Sequence, residues 1–214
     1  MPDLRLERRA RRIVCGIDEA GRGPLAGPVV AAAVILGDGR GQTRGLPRLL
    51  IDGLDDSKRV APERRVVLAA ALVEAARVRL VRFGIAAASA AEIDRLNILA
   101  ATELAMARAL HALGVTPDLA LVDGYRAPPL SCPVETVVGG DGLSLSIAAA
   151  SILAKVARDR LMVRLAARHP GYGWEHNMGY GTAAHRDALF RLGPTPHHRH
   201  SFAPVRLRQG ALTL

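Results

Sequence analysis

Three runs of strand length in this chain, two of them wholly apolar, lead into an acid, and that placement constrains the fold more than any other feature. Ile13 to Ile17 runs into Asp18-Glu19, Leu119 to Val122 into Asp123, and Val134 to Val138 into two glycines and then Asp141. Apolar runs of four to eight residues bounded by turn residues read as buried strands. A fourth run, Pro28 to Leu36, follows the first across a segment holding Gly21, Gly23, Pro24 and Gly27, which predicts two strands joined by a tight turn; Val81 to Ala86 predicts one more. Helical spacing fills the gaps. It covers 62–80 with Val66, Ala70, Val73 and Ala76 on one face, 97–113 up to Gly114, and 144–168 with Ile147, Ala150, Ala154, Ala157 and Leu161 on one face. Strands alternating with helices predict an α/β fold around one central sheet. A short helix is expected at 183–192, in a tail rich in Gly, Pro, His and Arg.

The position of the acids suggests chemistry. Sites in open α/β sheets form outside the strand ends, so separate strands can bring distant carboxylates together there. Mg²⁺ and similar hard cations take oxygen ligands, binding through a few carboxylates plus substrate phosphate, and a pair of them can clamp an in-line phosphoryl displacement. Each acid also has a plainer reading. Asp141 precedes a helix capped by Ser144 and suits its N-terminus, and Asp123-Gly124 is an ordinary turn dipeptide. Asp18-Glu19 resists such a reading, because adjacent like charges repel unless a cation or a basic group is near. Neighbouring strand residues face opposite sides, so both reach one site only where the strand ends or bulges.

At 214 residues, half of them hydrophobic, the chain can bury a core without staples and is too apolar for disorder. One domain is expected, organised as a basic arm over 1–12, a body over 13–168 and an extension over 169–214. Cys15 and Cys132 lie far apart with no C-x-x-C, and both are expected as reduced thiols. No run approaches the 20 or so apolar residues of a membrane span, and the cytoplasm is the expected location. The net charge of +9 is uneven: +3 over residues 1–12, −1 over 13–154 and +7 over 155–214. Basic ends on a near-neutral body suit a polyanion such as nucleic acid. Of the 29 basic residues, 27 are arginine, which marks Lys58 and Lys155 as positions suited to a compact ammonium.

Gly21-x-Gly23-x-x-Ala26 fits a loose dinucleotide-binding fingerprint, but it leads into the strand run Val29 to Leu36 where that motif opens a helix. No G-K-[ST] occurs, which excludes a P-loop.

The stretch Ile17-Asp18-Glu19-Ala20-Gly21-Arg22-Gly23-Pro24-Leu25-Ala26-Gly27-Pro28-Val29 closely resembles the opening motif of the bacterial ribonuclease HII family, the type 2 ribonucleases H. LDDSKR (54–59), NILAAT (97–102), LVDG (121–124), GGD (139–141), AAASILAKVARDR (148–160), GYGT (179–182) and HSFAPVR (200–206) resemble further family motifs in the same order. The resemblance spans nearly the whole chain. It implies a ribonuclease H-like mixed sheet flanked by helices with a small helical C-terminal part. It also implies an endonuclease that hydrolyses the RNA strand of RNA/DNA hybrids and incises at single ribonucleotides in duplex DNA. Asp18, Glu19, Asp123 and Asp141 match the positions that hold Mg²⁺ or Mn²⁺, two ions when substrate is bound. Gly21, Arg22 and Gly23 match the loop whose backbone reads the ribonucleotide, Tyr180 the tyrosine that packs on the sugar beside the cut, and Lys58 and Lys155 phosphate-facing ammonium groups. The implied reaction is in-line attack by a metal-activated water on the 5′ side of a ribonucleotide, leaving a 3′-hydroxyl and a 5′-phosphate. The 2′-hydroxyl is read and does not attack.

Asp159, four residues after Lys155 on one helix, is expected in a structural ion pair with it. Met178 stands where the family often has a lysine, which implies one phosphate contact fewer. Six of the seven histidines lie at or after His169; they lack the spacing of a zinc site and are expected to be solvated or phosphate-facing. The alternative to an enzyme is a nucleic-acid binder working through its basic ends. A monomer is expected, and the final residues 209–214, QGALTL, loosely resemble peptides that dock on bacterial sliding clamps, a partner suited to ribonucleotide repair.

Overall fold

The structure is a computed structural model and describes residues 1–210. Five strands are present: β1 (Val14–Ala20), β2 (Val29–Leu36), β3 (Val81–Ala88), β4 (Leu119–Asp123) and β5 (Val134–Val137). The helices are α1 (Arg5–Ala10), α2 (Arg48–Gly53), α3 (Pro62–Arg77), α4 (Ala90–Leu96), α5 (Ile98–Ala112), α6 (Leu145–Arg168), α7 (Trp174–Asn177), α8 (Ala183–Leu192) and α9 (Ala203–Gly210), with a 3-10 turn at Gly140–Gly142. The strands form one mixed sheet in the order β3-β2-β1-β4-β5. β1 pairs antiparallel with β2 and parallel with β4, and β4 pairs parallel with β5. The carboxyl ends of β1, β4 and β5 therefore share one edge of the sheet, and the acids that end those runs meet there.

Every residue of β2 is buried, and its alternation divides the core in two. Ala32, Val34 and Leu36 face α2, α3 and α6, whereas Ala31, Ala33 and Ile35 face α5. Cys15 lies in the second layer, and both cysteines are free thiols. The first turns of α6 are buried all round, and the helix runs directly against β1. Gly16 permits the approach: a Cβ there would lie 2.2 Å from the carbonyl carbon of Ser146.

Several local expectations need correction. The buried face of α3 is Leu68, Ala69, Leu72 and Ala75, while Val66 and Val73 are exposed, because leucine was the better marker of the core side than the β-branched residues. The connection from β1 to β2 is an eight-residue loop over 21–28, not a tight turn. The helix expected over 97–113 is present as α5, and a short helix not expected from the sequence, α4, precedes it. Ser89 caps α4 in a capping box with Glu92, and Asn97, at φ 69°, ends α4 and caps α5 through its side-chain oxygen. Residues 1–12 carry α1, docked through the buried Glu7, whose Oε1 accepts from Ser144 Oγ, Ser146 Oγ and Ser146 N–H at the start of α6. Beyond α6, Met162, Ala166, Tyr172, Trp174 and Ala188 form a separate small core, and Ala26 from the β1–β2 loop is part of it.

Gly16→Ala places a methyl group inside the backbone of α6, so overpacking should destabilise the protein by about 1–3 kcal/mol. Thermal unfolding should show a melting temperature lower by several degrees, on the order of 2–4 °C per kcal/mol for a chain of this size. An unchanged midpoint would contradict the close approach of β1 and α6.

Candidate active site

Strand pairing fixes the centre of the site. Register aligns Ile17 of β1 with Val122 of β4, so Asp18 and Asp123 are neighbours just beyond that pair. The turn after β5 brings Asp141 to them, and one carboxylate oxygen from each of Asp18, Asp123 and Asp141 lies within 4.8 Å of the others. Gly140 N–H donates to Asp123 Oδ1 at 2.7 Å, which ties the turn to β4. Glu19 follows Asp18 at the strand end and lines the same cavity. It is not in that group of three; its Oε1 lies 3.4 Å from Nη1 of Arg22, and it lines a second, small cavity with Asp123, Tyr125 and α5.

The three acids are crowded with too little countercharge. Burial, the Glu19 and Asp123 charges nearby, push the Asp18 carboxyl well above the usual range, despite hydrogen bonding from Ser151. Burial, with Asp123 and Asp56 close, raises Asp141 to about 6, against the pull of Lys58. Glu19 is also raised, by burial first, and Arg22 partly offsets this. Lys58 Nζ stands 3.9 Å from both Asp56 Oδ1 and Asp141 Oδ2 on a side chain that is 82 % exposed. Three converging carboxylates with no nitrogen or sulfur donor among them fit a hard divalent cation, and such a cation would offset the repulsion among their charges.

A cavity of about 230 Å³ extends from these acids. Asp18, Glu19 and Asp123 line it together with Gly21, Arg22, Gly23, Lys58, Lys155 and Tyr180, so nine of the ten expected site residues share one cavity, and Asp141 reaches it through Lys58. Gly21 has φ +97°, a conformation that disfavours any side chain. Lys155 also donates to Asp159 Oδ1 at 2.8 Å, the expected ion pair, and Asp159 lies outside the acidic group. Met178 at φ 49° uses its carbonyl to accept from Arg158.

Other residues of the site were not singled out from the sequence. Ser57 and Ser151, hydrogen-bonded to each other at 3.0 Å, line the cavity; both stand inside motifs, but a buried serine carries no spacing signal. Arg158 and Arg199, both buried, bind loop carbonyls around the cavity. The histidine expectation needs correction as well. His185 and His198 are fully buried, 3.2 Å apart between their Nε2 atoms, and are not solvated. Thr195 N–H donates to His198 Nδ1 and Trp174 Nε1–H to His185 Nε2, so His198 donates through Nε2, and His185 Nδ1 donates to the Tyr180 carbonyl. Burial and the neighbouring imidazoles lower His198 to about 3, which keeps the pair neutral. Among the described residues, Asp18, Asp123 and Asp141 are the one group of three or more side chains arranged to hold a metal.

A family model described as Ribonuclease HII matches residues 15–205. Ribonuclease HII of Paramagnetospirillum magneticum is 62 % identical over 205 residues, covering 96 % of this chain and 97 % of that protein. The ribonuclease H2 structure from Pyrococcus horikoshii superposes with a TM-score of 0.73 at 25 % identity, over 94 % of this chain and 98 % of that one. The ribonuclease HII of Archaeoglobus fulgidus, solved as a complex with PCNA, gives a TM-score of 0.68 at 27 % identity, over 87 % and 93 % of the two chains.

Asp141 keeps its proton up to about 6 in the folded protein against an ordinary 3.8, so folding takes up a proton between those values and its contribution to stability falls as pH rises through that window. Cation binding needs the deprotonated carboxylates and works in the opposite direction. The gain in melting temperature from Mg²⁺ or Mn²⁺ should therefore be larger near pH 7.5 than near pH 5. Equal gains at both, or an undiminished gain in an Asp18→Asn/Asp141→Asn double variant, would separate these carboxylates from metal binding.

Proposed function

The chain belongs to the ribonuclease HII family, and from that premise we propose a reaction and a role for each residue of the cavity. The protein is a divalent-metal-dependent ribonuclease with ribonuclease H activity on RNA/DNA hybrids, on a mixed ribonuclease H-like sheet. Family membership sets aside the reading of a binder without chemistry. The finer reading is that it also incises at single ribonucleotides embedded in duplex DNA, leaving a 3′-hydroxyl and a 5′-phosphate. One observation carries it: two of the three clustered carboxylates, Asp18 and Asp123, line the same cavity as a positive-φ glycine loop and a half-exposed tyrosine, with Asp141 grouped beside them.

Asp18, Asp123 and Asp141, with Glu19 following Asp18 at the strand end, would hold two cations, Mg²⁺ or Mn²⁺, which when bound supply an activated water and neutralise charge on the scissile phosphate. The chain's own groups do the rest. The main chain of Gly21, Arg22 and Gly23 lines the cavity, with no Cβ at Gly23 on the side of the Tyr180 ring, which suits recognition of a 2′-hydroxyl. Tyr180 offers its ring face to the ribose. Lys58 and Lys155 sit at the rim as compact cations for phosphate, and the paired carboxylates of Asp56, Asp141 and Asp159 keep them oriented until substrate arrives. The strongly basic sequence after residue 154 would grip the duplex on either side of the negative centre.

Among the described residues no helix is long and apolar enough to cross a membrane. A cytoplasmic monomer is part of this reading. So is a sliding-clamp contact through residues 209–214, of which 211–214 lie outside the described residues; the related Archaeoglobus fulgidus structure is a complex with PCNA. Equal clamp binding after deletion of 209–214 would dispose of that contact.

A single assay tests the reaction: an RNA/DNA hybrid, a DNA duplex with one ribonucleotide and an all-DNA duplex, each with Mg²⁺ or Mn²⁺, with the cut mapped. Cleavage of the first two on the 5′ side of a ribonucleotide, lost with EDTA, is expected. Asp18→Asn and Asp123→Asn should each lower the rate at least about a hundredfold, the scale of losing one group that stabilises transition-state charge. Either variant cutting at the wild-type rate would overturn the assignment.

A further inference from the structure

Arg158 and Arg199 are 1 % and 0 % exposed, and among the described residues neither has a carboxylate in ion-pair contact. Burying a cation without an anion is costly. Arg199 shows the strain in a proton affinity lowered to about 9, by burial first and by the Arg158 charge beside it. What both guanidiniums have instead is backbone. Arg199 donates from Nε to the Gly27 carbonyl at 3.0 Å, from Nη1 to Arg22 at 2.7 Å and from Nη2 to Gly21. Arg158 donates to Pro28 at 3.0 Å, to Ala26 at 3.2 Å and to Met178 at 2.9 Å.

The consequence follows from peptide geometry. In a trans peptide the carbonyl of one residue and the N–H of the next point in opposite directions, and the chain has no cis bonds. With the Gly21 and Arg22 carbonyls turned onto Arg199, the N–H groups of Arg22 and Gly23 must point the other way. Both residues line the cavity, and among the described residues no backbone acceptor takes either N–H. Arg158 makes the second link. It lies directly under Gly21, where a Cβ would be 2.0 Å from its Nε, and its Cζ is 5.9 Å from the centroid of the Tyr180 ring. It thus joins the glycine loop to the segment that carries the tyrosine.

We propose that Arg158 and Arg199 are positioning residues for ribonucleotide selectivity: Arg199 aims two backbone donors at the sugar and phosphate, and Arg158 fixes the gap between those donors and the Tyr180 ring. Neither touches the reacting atoms. The proposal rests on the functional reading above, that this cavity takes a ribonucleotide.

The test is equilibrium binding with Ca²⁺ as the cation, comparing a duplex with one ribonucleotide against the same all-DNA duplex. Arg199→Lys and Arg158→Lys keep a charge but lose the planar fork. Each should lower the ratio of the two affinities at least about tenfold, as expected when a site built to read a hydroxyl loses its geometry. The gain in melting temperature on adding Ca²⁺ should stay at the wild-type value, because the carboxylates are intact. In steady-state cleavage the defect should fall on KM more than on kcat. A folded variant that keeps the wild-type ratio overturns the proposal. Should neither variant fold, the wild-type protein decides: the Arg22 and Gly23 amide resonances should shift with the ribonucleotide duplex and not with all-DNA, and equal shifts overturn it. A wild-type protein with no preference would sink the functional reading and this inference together, whereas preference kept in the variants sinks this inference alone.

Discussion

Repulsion among Asp18, Asp123 and Asp141 is the constraint around which the molecule is arranged. Three carboxylates with oxygens within 4.8 Å, two of them buried, are unfavourable in a metal-free protein. The fold neutralises them only partly. Lys58 stands at 3.9 Å on a long exposed stem, Arg22 is turned to Glu19, and Lys155 is matched to Asp159. A closer set of ion pairs would stabilise the metal-free protein and compete with cations for the same oxygens. The site instead remains short of positive charge, as a centre suited to dications must. Its rigidity comes from the sheet, through β1 and β4 in parallel register, and from α6, which packs on β1 across Gly16.

The second requirement is a backbone that can lie against a sugar. A glycine loop has little stiffness of its own, and the C-terminal part supplies it. Leu25 and Ala26 N–H donate to the Gly179 carbonyl, Gly27 N–H to His197, and Arg199 N–H to Leu25. Ala26 is buried among Met162, Tyr172 and Trp174. The segment after α6 is therefore a continuation of the site in physical terms, since it holds the loop between β1 and β2 together with Arg158 of α6. The neutral His185–His198 pair belongs to the same scaffold, because His185 holds the carbonyl of Tyr180.

Much of this was legible in the sequence. Apolar runs marked β1 and β4 and a mixed segment marked β5, and an acid after each marked the sheet edge where they converge, because strand ends are the points at which a buried polar group becomes tolerable. The exposed valines of α3 show where pattern reading fails: Val66 and Val73 repeat at helical spacing as well as Leu68 and Leu72 do, and only packing tells which stripe is inside. Glu19 shows a different limit. It follows Asp18 in the strand yet stays outside the group of three oxygens, lining both the main cavity and a second one beside α5. The buried histidines and arginines were misjudged or passed over because composition treats both as surface residues. Nothing local separates Arg199 from its neighbours; its burial depends on carbonyls more than 170 residues away.

The preponderance of arginine bears on that last point. A count of 27 arginines to two lysines suggested that lysine persists only where a compact ammonium is needed, and the two lysines do sit at the cavity rim. The converse is the more informative half. At 158 and 199 each guanidinium serves three carbonyls at once in fixed directions, an arrangement an ammonium on a flexible stem cannot reproduce with the same separation between acceptors. Arginine is also less strongly hydrated, so its transfer to a site without an anion costs less than that of lysine. Net charge thus describes two populations. Exposed arginines are available to a polyanion, whereas Arg158 and Arg199 are structural cations whose field is absorbed by backbone dipoles around the loop they hold.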